Sequence, residues 1–261
     1  MLGAEDIQNF VDSYPELRQK DHKVGKHVAL MSELTRRVED GDLFEISETE
    51  QSIACSDNPG EHYRRVCQLI DNPKVSQYDA LRVVILFALR YETSASGKID
   101  ELRRRLLQFK GLGHSDVSLI KAVLQYGGVS TRGGDLFGNK SMLAKLTSNV
   151  KRGLKGVENV FTQHEPLLVS ILDQLRRNKL SKALFPSGGT DHSAQIGNIV
   201  VFIVGGATYE EALKVAMMNA EAKGNSALPR IILGSTAVHN SKSFLAEMAR
   251  LEGALSVDVG H

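Results

Sequence analysis

The sequence has little that would cross-link the chain, anchor it in a membrane or charge it as a whole. Its two cysteines, Cys55 and Cys67, are too few for a disulfide framework or a zinc site. The formal net charge is +1, so no whole-molecule field attracts nucleic acid or an anionic membrane. No apolar run approaches the roughly 18 residues of a membrane span, and the first residues lack a signal-peptide pattern. These absences predict a soluble protein of a reducing, intracellular compartment.

Common catalytic patterns are also lacking. No G-x-x-x-x-G-K-[ST], G-x-S-x-G or H-E-x-x-H occurs. The histidines are scattered, and His22 and His27 are five residues apart, so they do not share a helix face as a metal pair would. The basic cluster 103–105 lies on an amphipathic helix, where a solvated face is the default. We therefore expect no catalytic residue, metal site, cofactor, nucleic-acid partner or small-molecule substrate.

What the sequence does contain is a strand–turn–helix unit at residues 199–219. Six apolar residues, Ile199 to Val204, precede the pair Gly205-Gly206, and a helical pattern follows. Thr208 and Glu211 stand three apart at the helix start, which is the spacing of a capping box. The pattern predicts a buried strand that passes through a tight turn into a helix.

A second unit of the same kind follows, with a strand at Arg230 to Leu233 and a helix from about Ser241 to Leu251. Two such units in series predict parallel strands. An apolar parallel sheet is normally covered on both faces and has more than two strands. Because the rest of the chain offers no convincing third strand, we expect that the other strands lie on a sequence not present here. The chain then corresponds to the C-terminal part of a longer protein.

The glycine pair leaves a second interpretation open, that of a doubly wound α/β enzyme or nucleotide-binding protein. The segment 204–208, VGGAT, lacks the third glycine of the dinucleotide fingerprint. The second strand ends in Gly234-Ser235-Thr236 rather than in an acidic residue that would bind a ribose. A strand-to-helix turn that needs small residues explains the same glycines without a ligand.

The remainder of the chain is predicted to be helical. Residues 74–150 indicate a compact helical subdomain around Tyr78 to Tyr91, a helix that is apolar on nearly its whole circumference. Box patterns at Ser47/Glu50 and Thr162/Glu165 predict further helix starts. The predicted fold class is therefore mainly α with a smaller α/β part.

A long amphipathic helix is predicted near the start of the chain. Ser13 and Glu16 form a box around Pro15, which marks a joint between two helices, and the second helix runs to about Asp40. One face of this helix can pack on a neighbouring helix or receive a partner helix, and the pattern alone leaves both open. Its apolar stripe, interrupted by Asp21 and Thr35, consists of Leu17, Val24, Val28, Met31 and Val38.

Four segments resemble the Sec/Munc (SM) family of SNARE-assembly proteins, in its C-terminal region. The likeness is closest to the member that serves the trans-Golgi network and endosomes in vacuolar protein sorting. The segments are collinear and span most of the chain; they are NPKVSQYDALRVVILFALRYE at 72–92, KGVENVFTQHEP at 155–166, IVVFIVGGATYEEAL at 199–213 and RIILGSTAVHNSKSFL at 230–245.

The resemblance implies a division into three parts. Residues 1–70 would belong to the first half of a helical third domain, including the second helix of its protruding hairpin. Residues 71–155 would form the second half of that domain. Residues 156–261 would return to complete the parallel sheet of the α/β second domain. The family's N-terminal domain, which grips a syntaxin N-terminal peptide, has no counterpart in this sequence.

The resemblance also implies a function, a location and a binding face. It implies a non-enzymatic chaperone of vesicle docking and membrane fusion that binds a syntaxin-type SNARE and a vesicle SNARE. Such a protein is cytoplasmic and associates peripherally, through SNAREs, with Golgi, endosomal and vacuolar membranes. Carried over by position, the hinge of the hairpin is Pro15, and the SNARE-binding face is Leu17, Val24, Val28 and Met31.

Overall fold

The computed structural model describes residues 23–132, 160–183, 185–186, 188, 197–222 and 228–258. Within these residues helices predominate over strands, so the predicted fold class, mainly α with a smaller α/β part, is confirmed. The helices are α1 at 23–40, α2 Leu43–Cys55, α3 Pro59–Asp71, α4 Gln77–Tyr91, α5 Ser96–Phe109, α6 His114–Arg132, α7 Leu167–Arg176, α8 Tyr209–Ala222 and α9 Ser241–Asp258. The strands are β1 Asn198–Ile203, β2 Ala207–Thr208, β3 Arg230–Ser235 and β4 Val238–His239.

Helix α4 is the centre of the helical core, as its all-round apolar pattern predicts. The hydroxyl of Ser76 accepts a hydrogen bond from the Asp79 amide and so caps the helix start. Helices α2, α3, α5 and α6 all pack against it. Its buried side chains are Ala80, Leu81, Val83, Val84, Ile85, Phe87, Ala88 and Tyr91.

The α/β part contains two short parallel ladders. Strand β1 pairs in parallel with β3, from Asn198↔Arg230 to Ile203↔Ser235, which confirms the predicted parallel arrangement. Strand β2 pairs in parallel with β4 just beyond the turns that follow β1 and β3. One face of the β1–β3 sheet carries Ile199 and Ile231, which are buried against Leu172 of α7 and Val215 of α8.

Helix α9 connects the two parts. It follows β4 directly, yet its side chains Leu245 and Met248 are buried in the same cluster as α4 and α6. The ring of Phe244 packs edge-on against that of Tyr126 on α6. The helix also continues to Asp258, beyond the predicted end at Leu251. Helix α9 therefore joins the strand pairs to the helical core.

Two predicted capping boxes do not open helices. Helix α2 begins at Leu43 after Asp42, so the Ser47/Glu50 pattern lies inside the helix. Glu50 instead receives a hydrogen bond from Arg82 at 2.6 Å, and this ion pair joins α2 to α4. The Thr162/Glu165 pattern does not start α7 either, since the helix begins after Pro166, whose fixed φ suits a helix entry.

A buried polar network joins the ends of α2, α3 and α4. The oxygen of Tyr91 accepts from the Asn58 amide at 3.1 Å, so its proton is directed at Nδ1 of His62, 2.6 Å away. Nε2 of His62 then donates to the hydroxyl of Ser52 at 2.9 Å. A neutral imidazole satisfies every bond in this arrangement, and burial lowers the pKa of His62 from its ordinary value.

We predict that the network makes the protein sensitive to acid. A folded-state pKa below the unfolded value of about 6.5 gives stability that is complete above that value and is lost as the pH falls toward the folded pKa. The free energy of unfolding should fall below pH 6.5, by no more than about 1.4 kcal/mol per pH unit for one proton. Urea titrations between pH 7.5 and 5 measure this slope, and His62→Gln should flatten it. Equal slopes in both proteins would contradict the assignment.

Candidate functional site

The apolar stripe of α1 is exposed to solvent. Val24 and Val28 are each 58% exposed and Met31 is 67% exposed, whereas Val38, nearer the core, is half-buried. Exposed apolar side chains that occur singly are ordinary, but three at helical spacing on one helix form a continuous surface. Among the described residues this stripe is not used for packing.

Charged side chains stabilise α1 on the opposite face. Arg36 bonds to Glu33 with two nitrogens at 2.9 Å and to Asp40 at 2.7 Å, and Arg37 bonds to Glu33 at 2.7 Å. Hydrogen bonds from Arg36, then from Arg37, lower the pKa of Glu33 to about 2. Pairs three and four residues apart support a helix that has few tertiary contacts. The charges therefore keep α1 helical while its apolar face remains open.

The surface is wider than the sequence stripe indicates. Leu30 and Leu34 are 57% and 53% exposed and lie beside the stripe, toward one flank. A spacing of four residues also places two side chains on one side of a helix, but Leu30 and Leu34 do not belong to the seven-residue repeat. On the other flank lies an open depression of about 500 Å³, lined by Val28, Met31, Ser32, Thr35, Arg36 and Glu39.

Two of the predicted site residues lie outside the described residues. These are Pro15, the predicted hinge, and Leu17, the first residue of the predicted SNARE-binding face. The other three, Val24, Val28 and Met31, are brought together on one side of α1 by its helical geometry. The roles assigned to all five residues stay predictions.

A second apolar surface lies on the β1–β3 sheet. Val200 and Phe202 are 72% and 64% exposed on the face opposite Ile199, and Ile232 on β3 is exposed on the same face. Val204, at the end of β1, is exposed as well. The strand predicted to be buried is thus buried at Ile199 and exposed at Val200 and Phe202. Among the described residues the sheet has two strands, and nothing covers its second face.

At the carboxyl edge of this sheet, where a nucleotide would bind in a doubly wound fold, the turn glycines contact other parts of the chain. Gly205 and Gly206 have φ of 106° and 111°, which only glycine adopts without strain. A Cβ at Gly206 would lie 2.3 Å from the His239 ring. The Gly205 amide donates to the Thr236 hydroxyl at 3.0 Å. The glycines are thus needed for a close approach of chain to chain.

In a doubly wound nucleotide-binding protein, the start of α8 would face a phosphate. Here a carboxylate of the chain already lies at that position. The Glu211 carboxylate accepts from the Thr208 amide at 2.8 Å, and the Glu211 amide donates to the Thr208 hydroxyl at 3.2 Å. The predicted capping box is therefore confirmed. Its negative charge occupies the end of the helix that would otherwise attract a phosphate.

Sequence reasoning did not find the Ser52–His62 pair, which superficially has the geometry of a nucleophile and its base. His62 is 1% exposed, and the partner of its other ring nitrogen is a tyrosine rather than a carboxylate. The pair serves the packing of three helices. In the described part of the chain no group of His, Cys, Asp and Glu side chains could hold a metal ion, and no described helix could span a membrane.

The chain is similar to known proteins over most of its length. The Sec1 family model matches residues 2–247. Human vacuolar protein sorting-associated protein 45 is 42% identical over 244 residues, which are 93% of this chain and 42% of the human protein. Its Arabidopsis thaliana homolog is 42% identical over 247 residues, with 94% of this chain and 42% of the plant protein covered. The chain thus spans about 42% of the length of these curated relatives.

Solved structures are similar in fold. A structure of the SM protein Vps45 in complex with the Qa SNARE Tlg2 has a TM-score of 0.77 at 36% identity, over 96% of this chain and 44% of that one. The Unc18–syntaxin 1 complex from Monosiga brevicollis has a TM-score of 0.59 at 16% identity, over 95% of this chain and 43% of that one. The second likeness concerns the fold alone.

The exposed sheet face gives a prediction about behaviour in solution. We expect the chain to self-associate and to bind a hydrophobic dye through this face. Val200 and Ile232 are cross-strand partners, so Val200→Thr with Ile232→Thr makes the face polar while keeping β-branched side chains. Dye fluorescence and sedimentation velocity should both show less association in the double variant. Val238→Thr, an exposed valine on β4, is the matched control.

A monodisperse monomer at high concentration that binds no dye would contradict this prediction. So would a double variant that associates as strongly as the unchanged chain.

Proposed function

Since the chain belongs to the Sec1 family, we propose that it is the SNARE-binding part of a regulator of vesicle docking and membrane fusion. We place that regulator in transport among the trans-Golgi network, endosomes and vacuole. The single observation that carries this proposal is the exposed stripe Val24, Val28 and Met31 on a helix kept in shape by its own charges. SNAREs pair through amphipathic helices, and an apolar stripe of this kind is a surface on which such a helix can lie.

The partners we propose are a syntaxin-type SNARE and a vesicle SNARE. The relative Vps45 has been solved in complex with a Qa SNARE, which supports the first partner class. The open depression beside Val28 and Met31 is consistent with a helix as the ligand, because its described lining residues follow one another along α1. The protein would act in the cytoplasm and meet Golgi, endosomal and vacuolar membranes peripherally, through these SNAREs.

Within such a protein, the three parts would have different tasks. Residues 1–70 and 71–155 would form the two halves of the helical third domain, which presents α1. Residues 156–261 would contribute strands and helices to the second domain, whose sheet would extend beyond β1 and β3. The apolar residues on the open sheet face, Val200, Phe202 and Ile232, support this division, because further strands and helices would cover them.

We infer that the activity is binding rather than turnover. The alternative of a doubly wound enzyme needs the turn glycines for a ligand, and Gly206 is instead occupied by a close contact with the His239 ring. The glutamate cap of α8 weighs against a phosphate for the same reason.

Val28→Arg tests the proposed face. A charge placed in an apolar seam should weaken binding of the vesicle SNARE by roughly tenfold or more, because the guanidinium must be desolvated without a partner. Ala29→Arg is the matched control, since Ala29 is an exposed neighbour on the charged side of α1 with Glu33 and Arg36. Isothermal titration calorimetry with the SNARE motifs of the organism's vesicle SNAREs measures both. Equal affinities in the two variants would show that the stripe is not the binding face.

Pro15→Ala tests the proposed hinge. Proline in a helix interior is about 3 kcal/mol less favourable than alanine, so the replacement should favour one continuous helix. We expect stronger binding of the same vesicle SNARE, and loss of that gain when Val28→Arg is combined with it. An unchanged affinity for Pro15→Ala, together with unchanged helix content by circular dichroism, would contradict a hinge at this position.

A further inference from the structure

The outer edge of strand β3 is closed by side chains of the chain itself. The Asn219 side-chain amide donates to the Ile231 carbonyl and accepts from the Ile231 backbone amide, both at 2.8 Å, as a neighbouring strand would. Arg176 donates to the carbonyl of Pro229, the residue before β3, at 3.3 Å. A further strand cannot pair there without displacing these two side chains.

The outer edge of strand β1, on the other side of the sheet, is open. Successive residues of a strand direct their N–H and C=O groups to opposite edges. The Ile203 carbonyl accepts from the Thr236 amide at 3.1 Å, so Ile203 and every second residue before it face β3. The backbone groups of Val200 and Phe202 therefore point away from β3. Within the described part of the chain these groups have no hydrogen-bond partner.

Nothing in the sequence of β1 protects this edge from pairing. The segment 198–204, NIVVFIV, has no charged residue and no proline, which are common features of edge strands that stay unpaired. The described strands are already paired with one another, β1 with β3 and β2 with β4. Among them, only β1 of another copy of the chain offers an open edge of the same length.

We propose that two copies of the chain pair through β1, antiparallel and about a two-fold axis at Val201. The pairing joins two β1–β3 sheets into one four-stranded sheet, which is strand addition at a sheet edge. In this register Val200 lies opposite the partner's Phe202, and the two residues exchange both backbone hydrogen bonds because both point outward. Val201 and the partner's Val201 form the non-hydrogen-bonded pair between them.

The side chains of β1 suit this register. Val200 meets the partner's Phe202, and Ile199 meets the partner's Ile203, so β-branched and aromatic residues lie opposite one another and no like charges meet. A slip of one residue would set outward backbone groups against inward ones and lose the hydrogen bonds. A slip of two residues keeps the alternation but shortens the paired stretch. The two-fold at Val201 is therefore the favoured alignment.

Edge pairing is distinct from association through the open sheet face. It leaves Val200, Phe202 and Ile232 exposed on that face, and it stops at two copies because each β1 has a single outer edge. In a longer protein, a strand of that protein would compete with the second copy for the same edge.

A proline substitution tests the backbone hydrogen bonds. All proteins carry Ile232→Thr, which weakens association through the open face. Val200→Pro removes an outward amide and no bond of the β1–β3 ladder, a position at which proline is tolerated. Val200→Thr is the matched control, since it keeps the amide. In sedimentation velocity, the dissociation constant of the dimer should rise roughly tenfold or more for Val200→Pro and much less for Val200→Thr.

Cysteine cross-linking tests the register. In a background with Cys55→Ser and Cys67→Ser, Val201→Cys places two thiols on the two-fold axis, where Cα atoms about 4.5 Å apart are within disulfide range. Val204→Cys is the control, because Val204 is 81% exposed but lies opposite the partner's Asn198, about 20 Å from its own copy. Mild oxidation should yield a covalent dimer with Val201→Cys and little with Val204→Cys.

A chain that stays monomeric at every concentration would overturn the proposal. Equal dissociation constants for Val200→Pro and Val200→Thr, with unchanged circular dichroism, would do the same. Cross-linking that favours Val204→Cys over Val201→Cys would assign the contact to another surface. If Val200→Pro unfolds the sheet, the comparison of the two cysteine variants decides.

Discussion

The burial of α4 is the constraint on which the rest of the structure depends. A helix apolar on nearly its whole circumference cannot rest on a single neighbour, so α2, α3, α5 and α6 all pack on it. Two of the polar side chains that accompany it inward are paired, Arg82 with Glu50 and Tyr91 with His62, whereas the Tyr78 hydroxyl is buried without a hydrogen-bond partner. Helix α2 is fixed to α4 by its own residues, Glu50 among them. Helix α1, which precedes α2, can therefore extend from the core with few contacts of its own.

The exposed surfaces differ in what stabilises them. Helix α1 is supported by local charge pairs centred on Glu33 and Arg36, so its apolar stripe has little to do with its own stability. The β1–β3 sheet is supported by the burial of Ile199 and Ile231 on one face, and its other face has no comparable role among the described residues. In both cases the apolar side chains turned to solvent lie outside the contacts that stabilise the element among the described residues.

Much of the fold could be predicted from local patterns. The run Ile199 to Val204 and the box at Thr208 and Glu211 gave the strand, the turn and the helix start almost to the residue, because each signal is short-range. The same box pattern failed at Ser47 and Glu50, where Arg82, 32 positions beyond Glu50, takes the carboxylate. The amphipathic pattern of α9 indicated a buried face but not which core would receive it, since that depends on packing between distant segments.

The candidate site was predictable to a similar degree. The repeat identified Val24, Val28 and Met31 as one face, but exposure depends on what packs nearby, and only the structure shows that this face is open. Leu30 and Leu34 were passed over because their spacing does not belong to the seven-residue repeat. The closure of the sheet edge by His239 could not be read from Gly205 and Gly206 alone, since glycine serves a ligand and a neighbouring ring equally well.

Helix α9 has a mechanical consequence. Its start is tied to β4 by the hydrogen bond between His239 and Ser243 at 3.1 Å, and its middle is held among helices by Leu245 and Met248. Because its start and its middle are fixed to different parts of the chain, a displacement of β4 should reach the packing around α4 through this helix.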